Sequence, residues 1–153
     1  MAQGKQVIRG IDGFQQLVGV TIGPSEPVEV TQEKIEMFCK ATDNTEWIHW
    51  DKERCKNSPF GTTIAPSWFT PSYFSKLFFD MVDIQDVSNM LLMGSDRVRL
   101  LSPLKCGTSF TMSVKVAKVM KRDKGIAVHY DATWEGIGQE KPIAVANIII
   151  RYW

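Results

Sequence analysis

Histidine is nearly missing from this chain, with only His49 and His129 among 153 residues. Any imidazole chemistry near neutral pH therefore rests on two positions. Cysteine is almost as scarce. Cys39, Cys55 and Cys106 are odd in number and irregularly spaced, which argues against a disulfide framework or a thiolate metal site and fits a reducing cytoplasm. Nothing in the sequence calls for a metal or an organic cofactor. There is no excess of one charge either: the net value is +1 and Lys and Arg are dispersed, so neither nucleic acid nor an anionic membrane is an expected partner. The longest apolar run, Ile143 to Ile150, is interrupted by Asn147 and is far too short to span a bilayer. The opening Met-Ala-Gln-Gly-Lys-Gln-Val-Ile-Arg-Gly holds no apolar block of signal-peptide length, so a cytoplasmic location is expected.

What is present is an ordinary globular composition, 44% hydrophobic and 23% charged. One domain over 1–153 is the natural reading, and a chain of that length buries roughly 70% of its unfolded surface. The periodicity changes along the chain. After a short strand around Val28 to Val30, Thr31 is a good N-cap for a helix with Ile35, Phe38, Cys39 and Ala41 on its buried stripe. A short helix or turn follows at Asp51 to Cys55, then a loop through Asn57, Ser58, Pro59 and Gly61. Ser67 to Val82 is apolar on most sides and is expected to be a helix buried nearly all round. Pro71 leaves its start open: Thr70-Pro71 is the cap and first residue, or Pro71 lies in the first turn.

The second half has a period of two. Leu91 to Leu101 reads as a strand. Phe110, Met112, Val114 and Val116 alternate with polar residues, and Lys121 to Gly125 turns the chain. Ile126, Val128, Tyr130, Ala132 and Trp134 alternate back, and Pro142 to Trp153 closes the series. Consecutive hairpins preceded by one apolar helix predict an α+β fold in which an antiparallel sheet wraps that helix. His129 falls on the polar side of its strand, beside Asp131 and Thr133, and reads as a solvated or a sheet-surface residue.

The segment Ala-Thr-Asp-Asn-Thr-Glu-Trp-Ile-His-Trp-Asp, residues 41–51, carries the chemistry. It sets His49 between Trp47 and Trp50, a few residues after Asp43, Asn44 and Glu46. An imidazole among apolar side chains, with carboxylates and amides nearby, is able to move a proton to or from a bound substrate. The alternative is that the two tryptophans are core anchors and His49 only bonds a carbonyl.

From Gly13 onward the chain resembles the MaoC-like dehydratases and (R)-specific enoyl-CoA hydratases. The resemblance rests on Val-Thr-Gln-Glu-Lys-Ile-Glu-Met-Phe, Trp-Ile-His-Trp-Asp, residues 59–65 (Pro-Phe-Gly-Thr-Thr-Ile-Ala), Arg97-Val98-Arg99 and Arg151-Tyr152. It implies a hot-dog fold, a sheet curled around one long central helix, with subunits pairing edge to edge into a homodimer or a higher homo-oligomer. It also implies a small-molecule substrate linked to coenzyme A or a carrier protein. In that family an aspartate five residues before a histidine shares the proton work, and a His-Gly pair opens the central helix, its glycine N–H holding the thioester oxygen. Carried over by position, His49 matches the histidine and Ser72 a serine on the helix. Asn44 replaces the aspartate, Pro66 the second histidine and Ser67 the glycine.

An amide orients water but does not pick up a proton at neutral pH. The resemblance therefore implies a divergent lyase-type site: His49 transfers protons, Asn44 orients the reacting oxygen, and the Ser67 N–H, aided by a helix dipole, meets an oxyanion. Asp43, Glu46 and Asp96 are the carboxylates available to replace the missing one, and Met93 and Leu100 around Asp96 predict a mostly buried strand there. Trp47 and Trp68, with the other aromatic residues of this region, predict a bulky, apolar or aromatic substrate rather than a short acyl chain. Double-bond migration and ring closure share the same proton transfers as water addition or elimination. The competing expectation is an inactive subunit that binds a ligand or pairs with an active hydratase, with a thioesterase as a third option. Lys118, Lys121, Arg122 and Lys124 cluster at one hairpin, as a solvated turn or as a contact for carrier phosphates.

Overall fold

Residues 4–153 are described by a computed structural model; Met1 to Gln3, which begin the segment read for an export signal, lie outside the described residues. The chain runs β1 (Gln6–Arg9), α1 (Gly10–Gln16), β2 (Thr21–Ile22), β3 (Val28–Glu29), α2 (Gln32–Ala41), a 3-10 turn (Trp47–His49) and α3 (Lys52–Lys56). It continues through α4 (Phe69–Ser72), α5 (Phe74–Met81), β4 (Val82–Gln85), β5 (Met90–Leu100), β6 (Ser109–Lys121), β7 (Ile126–Gly136) and β8 (Ala144–Tyr152).

Alternation along β6, β7 and β8 makes the sheet. Its strand order is β2-β6-β7-β8-β5, antiparallel throughout, with β3 also pairing with β6. Phe110, Met112, Val114 and Val116 face the core from β6, and Val128, Tyr130, Ala132 and Trp134 face it from β7, as a period of two requires. Gly125 turns β6 into β7 at φ +75°, and a Cβ there would stand 1.9 Å from the Tyr152 carbonyl oxygen, so the turn admits no side chain.

The apolar helix expected over Ser67 to Val82 is divided. α4 and α5 meet at Tyr73 (φ −76°, ψ −4°), and Pro71 sits in the first turn of α4, where its missing N–H costs no helical bond. Nor is this segment buried all round. Phe69, Phe74, Leu77 and Phe78 are buried, while Ser75, Lys76, Phe79 and Asp80 are exposed. The buried rings meet the sheet: Phe78 lies 5.0 Å from Tyr130 and Phe74 lies 6.4 Å from Trp134, centre to centre. Deeper in the core, the Tyr130 and Tyr152 hydroxyls are 2.7 Å apart, and burial pushes both phenols above their ordinary pKa.

The short elements β1, α1 and β4 have no counterpart in the sequence reading. β1 and β4 pair in parallel, and α1 sets Phe14, fully buried, against Tyr152 with ring centres 4.2 Å apart.

Candidate active site

Local bonding of the chain builds the region around His49. Thr31 caps α2, accepting a bond from the Lys34 N–H. The helix stops at Thr42, and Asp43 follows in the left-handed region at φ +50°, a position that aspartate tolerates at a helix end. Asp43 is exposed, and its place is that of a chain reversal. Asn44 then organises the turn three ways: its N–H donates to Cys39 O at 2.9 Å, its Oδ1 accepts from Glu46 N at 3.0 Å, and its carbonyl accepts from Trp50 Nε1 at 2.9 Å. Next come the 3-10 turn and α3, whose N-cap Asp51 accepts from Arg54 N. The Arg54 guanidinium in turn lies 3.9 Å from the centre of the Trp47 ring.

His49 is 6% exposed, and its Nδ1 lies 2.7 Å from the Ile64 carbonyl oxygen. A carbonyl only accepts, so Nδ1 carries the hydrogen and Nε2 is the bare nitrogen of the neutral ring. The backbone is fixed on both sides. Gln32 Nε2 donates to His49 O at 2.9 Å, Thr63 Oγ1 donates to Gln32 Oε1 at 2.6 Å, and Ile64 N donates to Ile48 O at 3.1 Å. The sequence reading missed Gln32 and Thr63, because 31 residues separate them and no local spacing signals the pair.

A cleft of about 240 Å³ runs along the other side of this wall, lined among others by Ile64, Pro66, Ser67, Thr70, Leu101 and Pro103. Ile64 joins His49 to the cleft. His49 is not itself among the residues that line the cleft; its contact with that side is the bond to the Ile64 carbonyl. Among the described residues no acceptor takes the Ser67 N–H, which leaves it as a donor on the cleft. Ser72 is exposed, and its hydroxyl donates to Phe69 O at 2.6 Å.

Several expected participants lie elsewhere. Trp68 is 59% exposed, while Phe69 and Phe74 belong to the core and Tyr73 packs against it; the aromatic load is mostly structural. Asp96 is the clearest departure. Every residue of β5 is exposed except Val98, which is half-buried; the strand expected to be buried is the edge strand of the sheet, paired on one side with β8. The Asp96 carboxylate lies 3.6 Å from His129 Nδ1, on the face opposite Val128 and Tyr130. His129 departs in the other direction: it is only 5% exposed, with Nδ1 3.0 Å from Asn147 Oδ1, and Asn147 Nδ2 donates to Asp131 Oδ1 at 2.8 Å. Cys39, Cys55 and Cys106 are free thiols, and burial first of all raises the pKa of Cys39 and Cys55. No group of three or more potential metal ligands occurs among the described residues, and no helix is long and apolar enough to cross a membrane.

Comparison with known proteins agrees with this architecture. The chain is 33% identical over 135 residues to 3-hydroxyacyl-thioester dehydratase Z of Mycobacterium tuberculosis, covering 88% of this chain and 89% of that protein. It is 34% identical over 135 residues to nodulation protein N of Rhizobium leguminosarum, with 86% and 84% covered. An R-hydratase structure from Pseudomonas aeruginosa superposes with a TM-score of 0.75 at 14% identity, covering 90% of this chain and 83% of that one. The (R)-hydratase of A. caviae superposes with a TM-score of 0.73 at 15% identity, with 88% and 95% covered. These likenesses place the chain in the hot-dog fold. The family model for the MaoC like domain matches residues 13–135, and the chain belongs to that family of hydratases and dehydratases.

Proposed function

We propose that this protein is a hydro-lyase that adds water to, or removes it from, an acyl thioester, with His49 as its proton-transferring group. The observation that carries this reading is the bond from His49 Nδ1 to the Ile64 carbonyl. It assigns the free lone pair to Nε2 and holds the ring at the wall of an apolar cleft. In the elimination direction, Nε2 takes the proton from the carbon beside the thioester carbonyl. The resulting oxyanion accepts a hydrogen bond from the Ser67 N–H, the double bond forms, and the hydroxyl leaves with that proton as water. Asn44 retains its Nδ2 hydrogens to orient the reacting oxygen. The names of the relatives support this chemistry over double-bond migration or ring closure. In this reading the protein works in the reducing cytoplasm as a homodimer or higher homo-oligomer, since exposed Leu100 belongs both to the cleft and to the β5 edge, with exposed Leu101 lining the cleft just beyond it.

The test is turnover of (R)-3-hydroxyacyl and trans-2-enoyl thioesters of several chain lengths, followed by enoyl absorbance. His49→Ala is expected to lower kcat/KM by roughly two to four orders of magnitude in a variant shown by circular dichroism to remain folded; activity equal to wild type would remove His49 from the mechanism. A second reading, a ligand-binding subunit without catalysis of its own, has one observation in its favour. Asn44 Oδ1 is committed to the Glu46 N–H, and no carboxylate pairs with His49 among the described residues. Thioester binding with no turnover by the wild-type protein would select it.

A further inference from the structure

Five polar side chains are buried among the described residues: Ser25, His49, Thr63, Thr70 and His129. Folded proteins keep such groups hydrogen-bonded, and four of the five follow the rule. Ser25 Oγ donates to Glu26 O and accepts from Met112 N, and Thr63 bonds to Gln32. The two imidazoles bond to Ile64 O and Asn147 Oδ1. Thr70 is the exception. It is 1% exposed, and among the described residues no group bonds to its hydroxyl.

A hydroxyl in or at the end of a helix ordinarily turns back to a carbonyl three or four residues earlier. Thr42 does so with Phe38 O at 2.9 Å, and Ser72 with Phe69 O at 2.6 Å. The carbonyl open to Thr70 in that manner, Pro66 O, accepts from the Phe69 N–H at 2.9 Å instead. Nor is the Thr70 oxygen sealed in the core. Among the described residues, the buried side-chain atoms left without a partner are Trp134 Nε1 and Arg151 Nε. Thr70 Oγ1 is not one of them, so the small exposure of this residue lies at its hydroxyl, toward the cleft that it lines.

Ser67 lines the same cleft one turn earlier, with its N–H free. Residues three apart on a helical turn are neighbours, and their side chains lean toward the N-terminal end. Thr70 therefore leans back over Ser67. In a capping box the side chain three residues on reaches the N–H itself; threonine is too short to do so, and an acceptor held between the two donors satisfies both. Ile64, Ala65, Leu104 and Ile143 make the adjoining walls apolar.

We propose that Thr70 is a second oxyanion donor, its hydroxyl converging with the Ser67 N–H on the carbonyl oxygen of the bound acyl group. This deepens the acyl-thioester reading above and rests on it. Ser72, the helix hydroxyl that the family resemblance brings to the site, is turned to Phe69 O; Thr70 supplies a hydroxyl at a different position and for a different task. It keeps its proton throughout and stabilises charge that builds on the oxygen, while His49 moves the proton on carbon. Between apolar walls such a donor acts more strongly than in water.

The test reads the carbonyl itself, so it does not depend on turnover. A saturated acyl thioester of coenzyme A, isotopically labelled at the carbonyl carbon and unable to react, is bound to the full chain, and its C=O stretch is recorded by difference infrared spectroscopy. The band is expected at lower frequency in the wild type than in solution. Thr70→Val should return it part of the way, and Thr70→Ser, which keeps the hydroxyl, should retain most of the shift. The same band in wild type and Thr70→Val would overturn the role of Thr70 and leave the thioester reading standing. No binding of the thioester by the wild type would remove that reading, and this proposal with it. In turnover, Thr70→Val is expected to lower kcat about a hundredfold with KM little changed. Because the hydroxyl has no partner in the protein, Thr70→Val should not lower Tm. A lower Tm with wild-type kcat and an unmoved band would assign the hydroxyl to the fold and overturn the proposal.

Discussion

His49 and His129 are buried to nearly the same depth, at 6% and 5% exposure, yet their surroundings give them opposite characters. The His49 ring is held by the Ile64 carbonyl beside a cleft and, among the described residues, pairs with no carboxylate. His129 lies across the sheet from the core and is held by side chains, Asn147 directly and Asp96 at ion-pair distance, with Asp131 behind Asn147. Depth of burial therefore does not distinguish the imidazole proposed to be reactive from the structural one. The partners of each ring nitrogen do, because a carbonyl on one nitrogen fixes the tautomer and leaves the other free, whereas side-chain partners tie the ring into the strand pairing.

This contrast is sharpest at Asn44. Asn44→Asp keeps an oxygen to accept the Glu46 N–H and adds the carboxylate that His49 lacks; turnover is expected to rise by about one to two orders of magnitude, as measured by kcat on an enoyl thioester. An unchanged or lower kcat would show that His49 works without an acidic companion. The converse holds at His129. His129→Ala removes the partner of Asn147 and is expected to cost about 1–3 kcal/mol in denaturant unfolding while leaving kcat/KM unchanged; a fall in activity at full stability would erase the distinction between the two rings.

The Tyr130–Tyr152 pair extends the comparison to groups kept neutral by burial. Both folded pKa values lie above the ordinary tyrosine value. Their contribution is thus complete below pH about 10 and is lost as pH rises from there toward the folded values, since the unfolded chain gives up its protons first. Tm measured against pH is expected to drop in that alkaline range, and more shallowly in Tyr152→Phe. The smallest effect is expected at Asp96. Its carboxylate is 65% exposed, and Asp96→Asn is expected to change stability by less than about 1 kcal/mol in chemical unfolding.

Much of the sheet was legible because a period of two along β6, β7 and β8 states which side chains face inward. The α2 start was legible through Thr31, whose hydroxyl does accept from Lys34. β1, α1 and β4 were not, because β1 and β4 are four-residue strands joined across 76 positions, and elements so short carry too little periodicity. The break at Tyr73 escaped because Phe69 to Met81 keeps its apolar pattern through the change of conformation.

The two histidines mark the same boundary. Periodicity assigns His129 to the outer side of β7, and it lies there; that it is nevertheless buried follows from Asn147 and Asp96, supplied by other strands in register. The amino-acid order determined the family motif around His49, the asparagine and serine substitutions in it, and the alternation of the strands, because each is a local pattern. Only the tertiary structure decided which nitrogen of His49 is free and that Asp96 lies on an open edge. Those are contacts between distant segments, whose energies depend on register and burial that no local spacing encodes.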